Sequence, residues 1–175
     1  MAYEYLAANL QVLAWGVQPT VSTDEFLQRC ENRMSAGDFQ NLCDLLQQFS
    51  SLLTGECLQT SYSWMQQLSN FASIIRKEVG ELRTAKRSGH AHKSTVLPLE
   101  VTEADTPLHA QQALLKCWWD ALYMFEHHEW WAKLPHFVYF GCRLCILERM
   151  NSFDHNQGEE VFTALQTLNI EGGSL

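Results

Sequence analysis

The feature that most restricts what this chain can fold into is one long apolar seam. Trp64, Leu68, Phe71, Ile75, Val79 and Leu82 follow one another at steps of four, three, four, four and three. Steps of three and four return to the same face of an α-helix, whereas a strand would need steps of two. The spacing therefore predicts one continuous helix from Ser61 to about Ser88, buried along one stripe. Gly80 interrupts it at a cost of about 1 kcal/mol against alanine, which suggests a place where another backbone comes close.

The same period recurs on both sides. Tyr3, Leu6, Leu10 and Leu13 predict a first helix over 2–15, stopped by Gly16 and Pro19. Ser22 and Glu25 have capping-box spacing and open a second helix to about Met34. Ser35 and Asp38 repeat the device and open a third to about Phe49, with Phe39, Leu42, Leu45 and Leu46 on its apolar face. Thr106 followed by Pro107 starts an aromatic-rich helix to about Trp131. Another is expected from Pro135 to about Met150, and a last one from Asp154 to near Leu168, with a frayed tail over 170–175. Residues 88–107 carry Gly89, Pro98 and Pro107 without a helical period and read as a long mobile surface loop. The expectation is an all-α, single-domain bundle spanning 1–175, with about seven helices and no strand.

Charge narrows the function classes. The chain carries −8, yet residues 71–93 hold Arg76, Lys77, Arg83, Lys86, Arg87 and Lys93 against only Glu78 and Glu81. That is +4 locally (6 − 2) and −12 everywhere else (−8 − 4). A net negative chain is poorly suited to nucleic acid or to an anionic membrane surface. No secretory leader is expected, because "MAYEYLAANL" lacks a basic start. The longest apolar run, "FVYFGCRLCIL", is too short to span a bilayer and contains Arg143. The six cysteines, Cys30, Cys43, Cys57, Cys117, Cys142 and Cys145, read as reduced thiols in a cytoplasmic protein.

Candidate chemistry is sparse. Cys142 and Cys145 form a C-x-x-C flanked by His136 and His155, but no second pair follows to complete a zinc site. "FEHHEWW" offers Glu126, His127, His128 and Glu129 without the Glu-x-x-His of a di-iron bundle. His90 and His92 sit in the predicted loop. No phosphate-binding loop, nucleophile elbow or dinucleotide turn is present, so neither an enzyme nor a cofactor is expected. On the long helix, Arg76, Arg83 and Arg87 are spaced by seven and four and share a face, with Lys86 beside them. That face is either solvated, paired internally with Asp120 or Glu148, or a docking surface for carboxylates, to which the guanidinium fork is suited.

Four stretches carry a resemblance. "FASIIRKEVGELRTAKR", "YEYLAANLQVL", "MSAGDFQNLCDLL" and "RLCILERMNSFDHNQGEEVFTAL" resemble, in order, segments of a small uncharacterised bacterial family encoded beside the V/A-type ATP synthase. Its arginine-rich helix reads "aLRNeLvrlRAarlg" and its opening "YYYLvasLPdL". Gln11 stands where the family's proline is usual, and Lys77 where its asparagine is usual. The family is itself similar to the C (d-type) central-stalk subunit of the rotary ATPases, an all-helical funnel between the soluble sector and the membrane ring. The resemblance implies a non-enzymatic subunit, accessory or assembly factor of a V/A-type ATP synthase, a proton- or sodium-translocating complex. Such a protein would be cytoplasmic and peripheral to the inner membrane through that complex, with other synthase subunits as partners and no membrane insertion of its own. The positions matched by the family's motifs are Arg76, Glu78, Arg83, Lys86, Glu148, Arg149 and Gly158; with Arg87 from the shared face, Arg76, Arg83, Lys86, Glu148 and Arg149 are the partner-binding candidates. Two rivals are a small helical metal-binding protein or enzyme using Cys142, Cys145, His136 and His155, and a helical chaperone of an unrelated complex.

Overall fold

A computed structural model describes residues 3–56, 62–91, 93–124, 126 and 128–153. It is an all-α bundle. Among the described residues there are seven α-helices and no strand: α1 Glu4–Ala8, α2 Thr23–Glu31, α3 Ala36–Thr54, α4 Ser63–Ser88, α5 Leu99–Thr102, α6 Pro107–Tyr123 and α7 Leu134–Asn151. A single 3-10 turn, His128–Trp130, leads into α7. The helix expected over 154–168 and the tail over 170–175 lie outside the described residues.

The starts of the helices follow their capping residues. Ser22 and Glu25 form the complete capping box on α2. The Ser35 side chain accepts from the Asp38 N–H at the head of α3, and Thr106 accepts from the His109 N–H at the head of α6, where Pro107 needs no partner. Gly55 and Gly89 end α3 and α4 in left-handed conformations. α3 runs one turn past its expected end at Phe49, because Leu52 extends its apolar face into the core.

α7 lies at the centre. From Phe137 to Leu144, and again at Ile146 and Leu147, every side chain is buried, so this helix has no solvent face along that length. α2, α3 and α6 pack against it. Phe26, Leu42, Leu46, Phe49, Trp118 and Leu122 supply most of its surroundings. Contact is closest at Gly141: a Cβ there would lie 2.7 Å from both Leu46 methyls and 3.2 Å from the Phe26 ring. A second, smaller cluster joins Ile75 and Leu82 of α4 to Leu97 and Val101.

Three expectations change. The first helix is only Glu4–Ala8 rather than 2–15. Leu13 is buried, but its carbonyl accepts a hydrogen bond from Arg143 instead of closing a helical turn, and the Asn9 side chain donates to the Tyr5 carbonyl. The apolar stripe is used, but by a chain that leaves the helix after one turn. The aromatic helix ends at Tyr123 rather than Trp131, and the chain reverses through the 3-10 turn and Ala132 at φ 55°. Of the expected 88–107 loop, residues 94–102 form a docked connection, and His92 lies outside the described residues. Ser94 Oγ donates to Glu78 at 2.6 Å and accepts from the Leu97 N–H at 2.8 Å, Leu97 and Val101 are buried, and α5 packs on α6.

Gly80 is also not a close approach: nothing lies within 4 Å of a Cβ built there, and the residue is exposed. The two glycines should therefore respond oppositely to substitution. Gly80→Ala is expected to raise stability by about 1 kcal/mol in urea titration. Gly141→Val is expected to lower it by about 2 kcal/mol, because α7 cannot move off α3 without opening the core.

Candidate docking face on the long helix

The C-terminal half of α4 brings the basic residues together and sorts them. Arg76 is half-buried and donates from Nη2 to the Glu56 carbonyl at 3.2 Å, just past the end of α3. It thereby satisfies a backbone carbonyl of the connection that follows α3. Lys77 lies 3.9 Å from Glu81 in an exposed pair one turn apart, a contact worth little in water. Glu78 holds Ser94. Arg83, Lys86 and Arg87 are exposed, and among the described residues none of the three makes a hydrogen bond or an ion pair. Lys86 and Arg87 lie in the last turn, where cations complement the helix dipole.

The two carboxylates considered as internal partners for this face are used elsewhere. Asp120 pairs with Lys116 one turn away on α6. Glu148 accepts from both the N–H and the hydroxyl of Thr23, each at 2.6 Å, and so fastens the first residue of α2 to the last turns of α7. Glu148 is thus engaged within the chain, far in role from the α4 face. Arg149 is half-buried, with its Nε buried and unpartnered among the described residues. Gly158 and His155 lie outside them. The structure therefore brings together Arg83, Lys86 and Arg87 of the candidates, with Arg76 on the same helix but turned to Glu56.

Beside these cations runs a groove of about 320 Å3 between α4 and the α5–α6 corner. Val79, Leu82, Val101 and Leu114 give it an apolar floor, and Arg83, Lys86 and Asp105 stand along it. A larger hollow of about 530 Å3 is lined by Trp15, Glu100, Lys116, Cys117, Asp120 and Met150. There Lys116 closes on Asp120 and lies 5.8 Å from the centre of the Trp15 ring, so its charge is already spent within the chain.

The thiols sit in a different environment. Cys142 and Cys30 are completely buried in the core. Burial pushes the Cys142 thiol well above its usual range and the Cys30 thiol up to about 12. Cys145 is half-buried, its sulfur 3.9 Å from the Thr23 hydroxyl, and burial raises it to about 11. His136 lies between the Trp131 and Phe137 rings, and burial lowers its pKa. Among the described residues no three His, Cys, Asp or Glu side chains gather in a metal-holding group. Of "FEHHEWW", Glu126 accepts from the Tyr139 hydroxyl at 3.0 Å, while His127 and the His128 side chain lie outside the described residues.

One residue had entered the sequence reading only as a charge that spoils a membrane span. Arg143 is buried in the centre of α7. Its guanidinium carbon lies 3.8 Å from the centre of the Trp119 ring, 4.7 Å from that of Tyr123 and 5.6 Å from that of Tyr139. Nη2 donates to the Leu13 carbonyl at 3.1 Å and to the Tyr123 hydroxyl at 3.0 Å. Burial holds the Tyr139 phenol above its ordinary pKa even with this cation beside it. The available signal was a lone arginine inside an apolar run, near a helix rich in aromatics.

No family model matches this chain, and neither a curated protein nor a solved structure does. No helix among the described residues is long and apolar enough to cross a membrane.

The burial of the thiols has a direct readout. With a disulfide reagent at pH 8 and mass mapping, Cys142 and Cys30 are expected to stay unmodified in the folded protein. Neither sulfur is accessible, and burial raises both thiols, Cys30 to about 12 and Cys142 well above its usual range, so little thiolate forms at that pH. Cys43, half-buried on α3, is expected to react well before them, and all should react in denaturant.

Proposed function

We propose that this protein is a non-catalytic docking subunit or accessory factor of a V/A-type ATP synthase, and that it engages a neighbouring subunit through the basic end of α4. The observation that carries the docking part is the set Arg83, Lys86 and Arg87. They are exposed, and among the described residues unpartnered, in a chain whose remainder is strongly acidic. The two carboxylates expected as internal partners, Asp120 and Glu148, are engaged with Lys116 and Thr23 instead. Cations held together and left unmatched suit a partner that brings carboxylates, and such surfaces set orientation and encounter rate.

The synthase part rests on the four stretches whose order and pattern resemble the family encoded with that machine. Two of its matched positions, Arg83 and Lys86, are among the unpartnered cations. The metal-site alternative draws no comparable support, since Cys142 is enclosed by the core on all sides.

Affinity purification of the tagged chain from a cell expressing the synthase tests the proposal. Soluble-sector subunits are expected to co-purify at about 50 mM salt and to fall away by about 300 mM, as exposed charge pairs are screened. Arg83→Glu should reduce recovery at least about tenfold while leaving the unfolding free energy from urea titration within about 0.5 kcal/mol of the parent, because among the described residues it removes no hydrogen bond or ion pair. Absence of every synthase subunit at low salt would sink the assignment.

A further inference from the structure

We propose that the groove between α4 and the α5–α6 corner seats an acidic amphipathic helix of a partner protein. This deepens the docking reading above and rests on it. The apolar face of that helix would lie on Val79, Leu82, Val101 and Leu114, and its carboxylates would meet Arg83 and Lys86.

Three observations converge on this occupant. The floor is apolar but unfinished: Leu82 and Val101 are buried, while Val79 and Leu114 on either side remain half-exposed in an otherwise packed cluster. Among the described residues the rim carries two unpartnered cations, Arg83 and Lys86, against one carboxylate, Asp105, and Arg87 lies one turn past Arg83. The head of α6 opens at the same place, with Thr106 and Pro107 among the lining residues, and adds the positive end of its dipole.

The partner's backbone conformation follows from what surrounds the groove. Its walls are helices, and among the described residues there is no strand whose edge could pair with an extended peptide. A helix brings its own backbone hydrogen bonds and needs only side-chain complementarity. The apolar floor offers nothing to a phosphate backbone, and −12 outside the 71–93 segment repels one. The same surplus orients an acidic helix, since the groove is where it meets attraction in place of repulsion.

Fluorescence anisotropy with the full chain tests this. The probe is a labelled peptide of about five turns with Leu and Phe on one face and Glu on the other. Two controls replace every Glu by Gln, or every Leu and Phe by Ser. The Glu peptide is expected to bind, and each control to bind at least about tenfold more weakly. The Arg83→Glu/Lys86→Glu variant should lose a similar factor for the Glu peptide. Equal binding of the Glu and Gln peptides, or wild-type affinity in the double variant, overturns the proposal. Tighter binding of a single-stranded oligonucleotide than of the Glu peptide overturns it in favour of a nucleic-acid surface. A gain of about tenfold on Glu159→Lys/Glu160→Lys would instead give the groove to the chain's own C-terminal segment.

The two readings fail separately. If the peptide behaves as expected but no synthase subunit co-purifies, the groove stands and the synthase assignment falls. If synthase subunits co-purify equally with the parent and the double variant, the assignment stands and the groove falls.

Discussion

A helix with no polar face must be surrounded, and α7 is such a helix over most of its length. That requirement organises the rest. α2, α3 and α6 are placed where they cover it, and Gly141 lets α3 approach until the Leu46 methyls occupy the space a Cβ would need. The one charge α7 carries inward, Arg143, is accommodated without a carboxylate. Its guanidinium lies among the rings of Trp119, Tyr123 and Tyr139, and its hydrogen bonds end on a carbonyl and a phenol. Aromatic faces attract a desolvated guanidinium, and arginine suits the task better than lysine because it is planar and more weakly hydrated. The same bond takes the Leu13 carbonyl, which helps explain why the N-terminal segment packs as an irregular chain after Ala8.

Because α7 takes up the main core, α4 is divided. Its first half, through Met65, Leu68 and Ala72, joins that core. Its second half rests on Ile75, Leu82, Leu97 and Val101, a cluster of four buried side chains. The connection after α4 is fastened there by Glu78 through Ser94, which turns a long segment into a wall. The basic residues fall on this second half, beside the smaller cluster and away from the large one. What the fold leaves open there is therefore a rim of cations next to apolar side chains that are only partly covered.

Much of the fold was legible because the signals are local. Ser22 with Glu25, Ser35 with Asp38, and Thr106 with Pro107 mark helix starts within four residues, and the α4 seam repeats over five steps. What was not legible depends on pairs distant in sequence. Thr23 and Glu148 are 125 residues apart, and Leu13 and Arg143 are 130 apart. No periodicity reports such contacts. The stripe Tyr3, Leu6, Leu10, Leu13 misled for the same reason: apolar spacing shows that side chains are buried, and a tertiary hydrogen bond decided the backbone. Leu97 and Val101 are four apart, but one turn is too short a run to separate a helix from chance. Of the candidate site, the charge pattern on α4 could be read directly. The sorting of Arg76 and Glu148 into internal roles, apart from Arg83, Lys86 and Arg87, could not.

The division of α4 also bears on how recognition couples to the fold. A satellite cluster of four buried residues contributes less apolar burial than the core around α7, so the second half of α4 with α5 belongs to the less stable part of the molecule. Anything seated against Val79 and Leu114 extends that cluster, and it stabilises the native state by mass action, with the logarithm of its concentration over its Kd once in excess. Arg83, Lys86 and Arg87 have no partner among the described residues to give up on meeting it. On the proposed docking, attraction along the rim and burial along the floor would therefore act on the same few turns, those held by the smaller cluster.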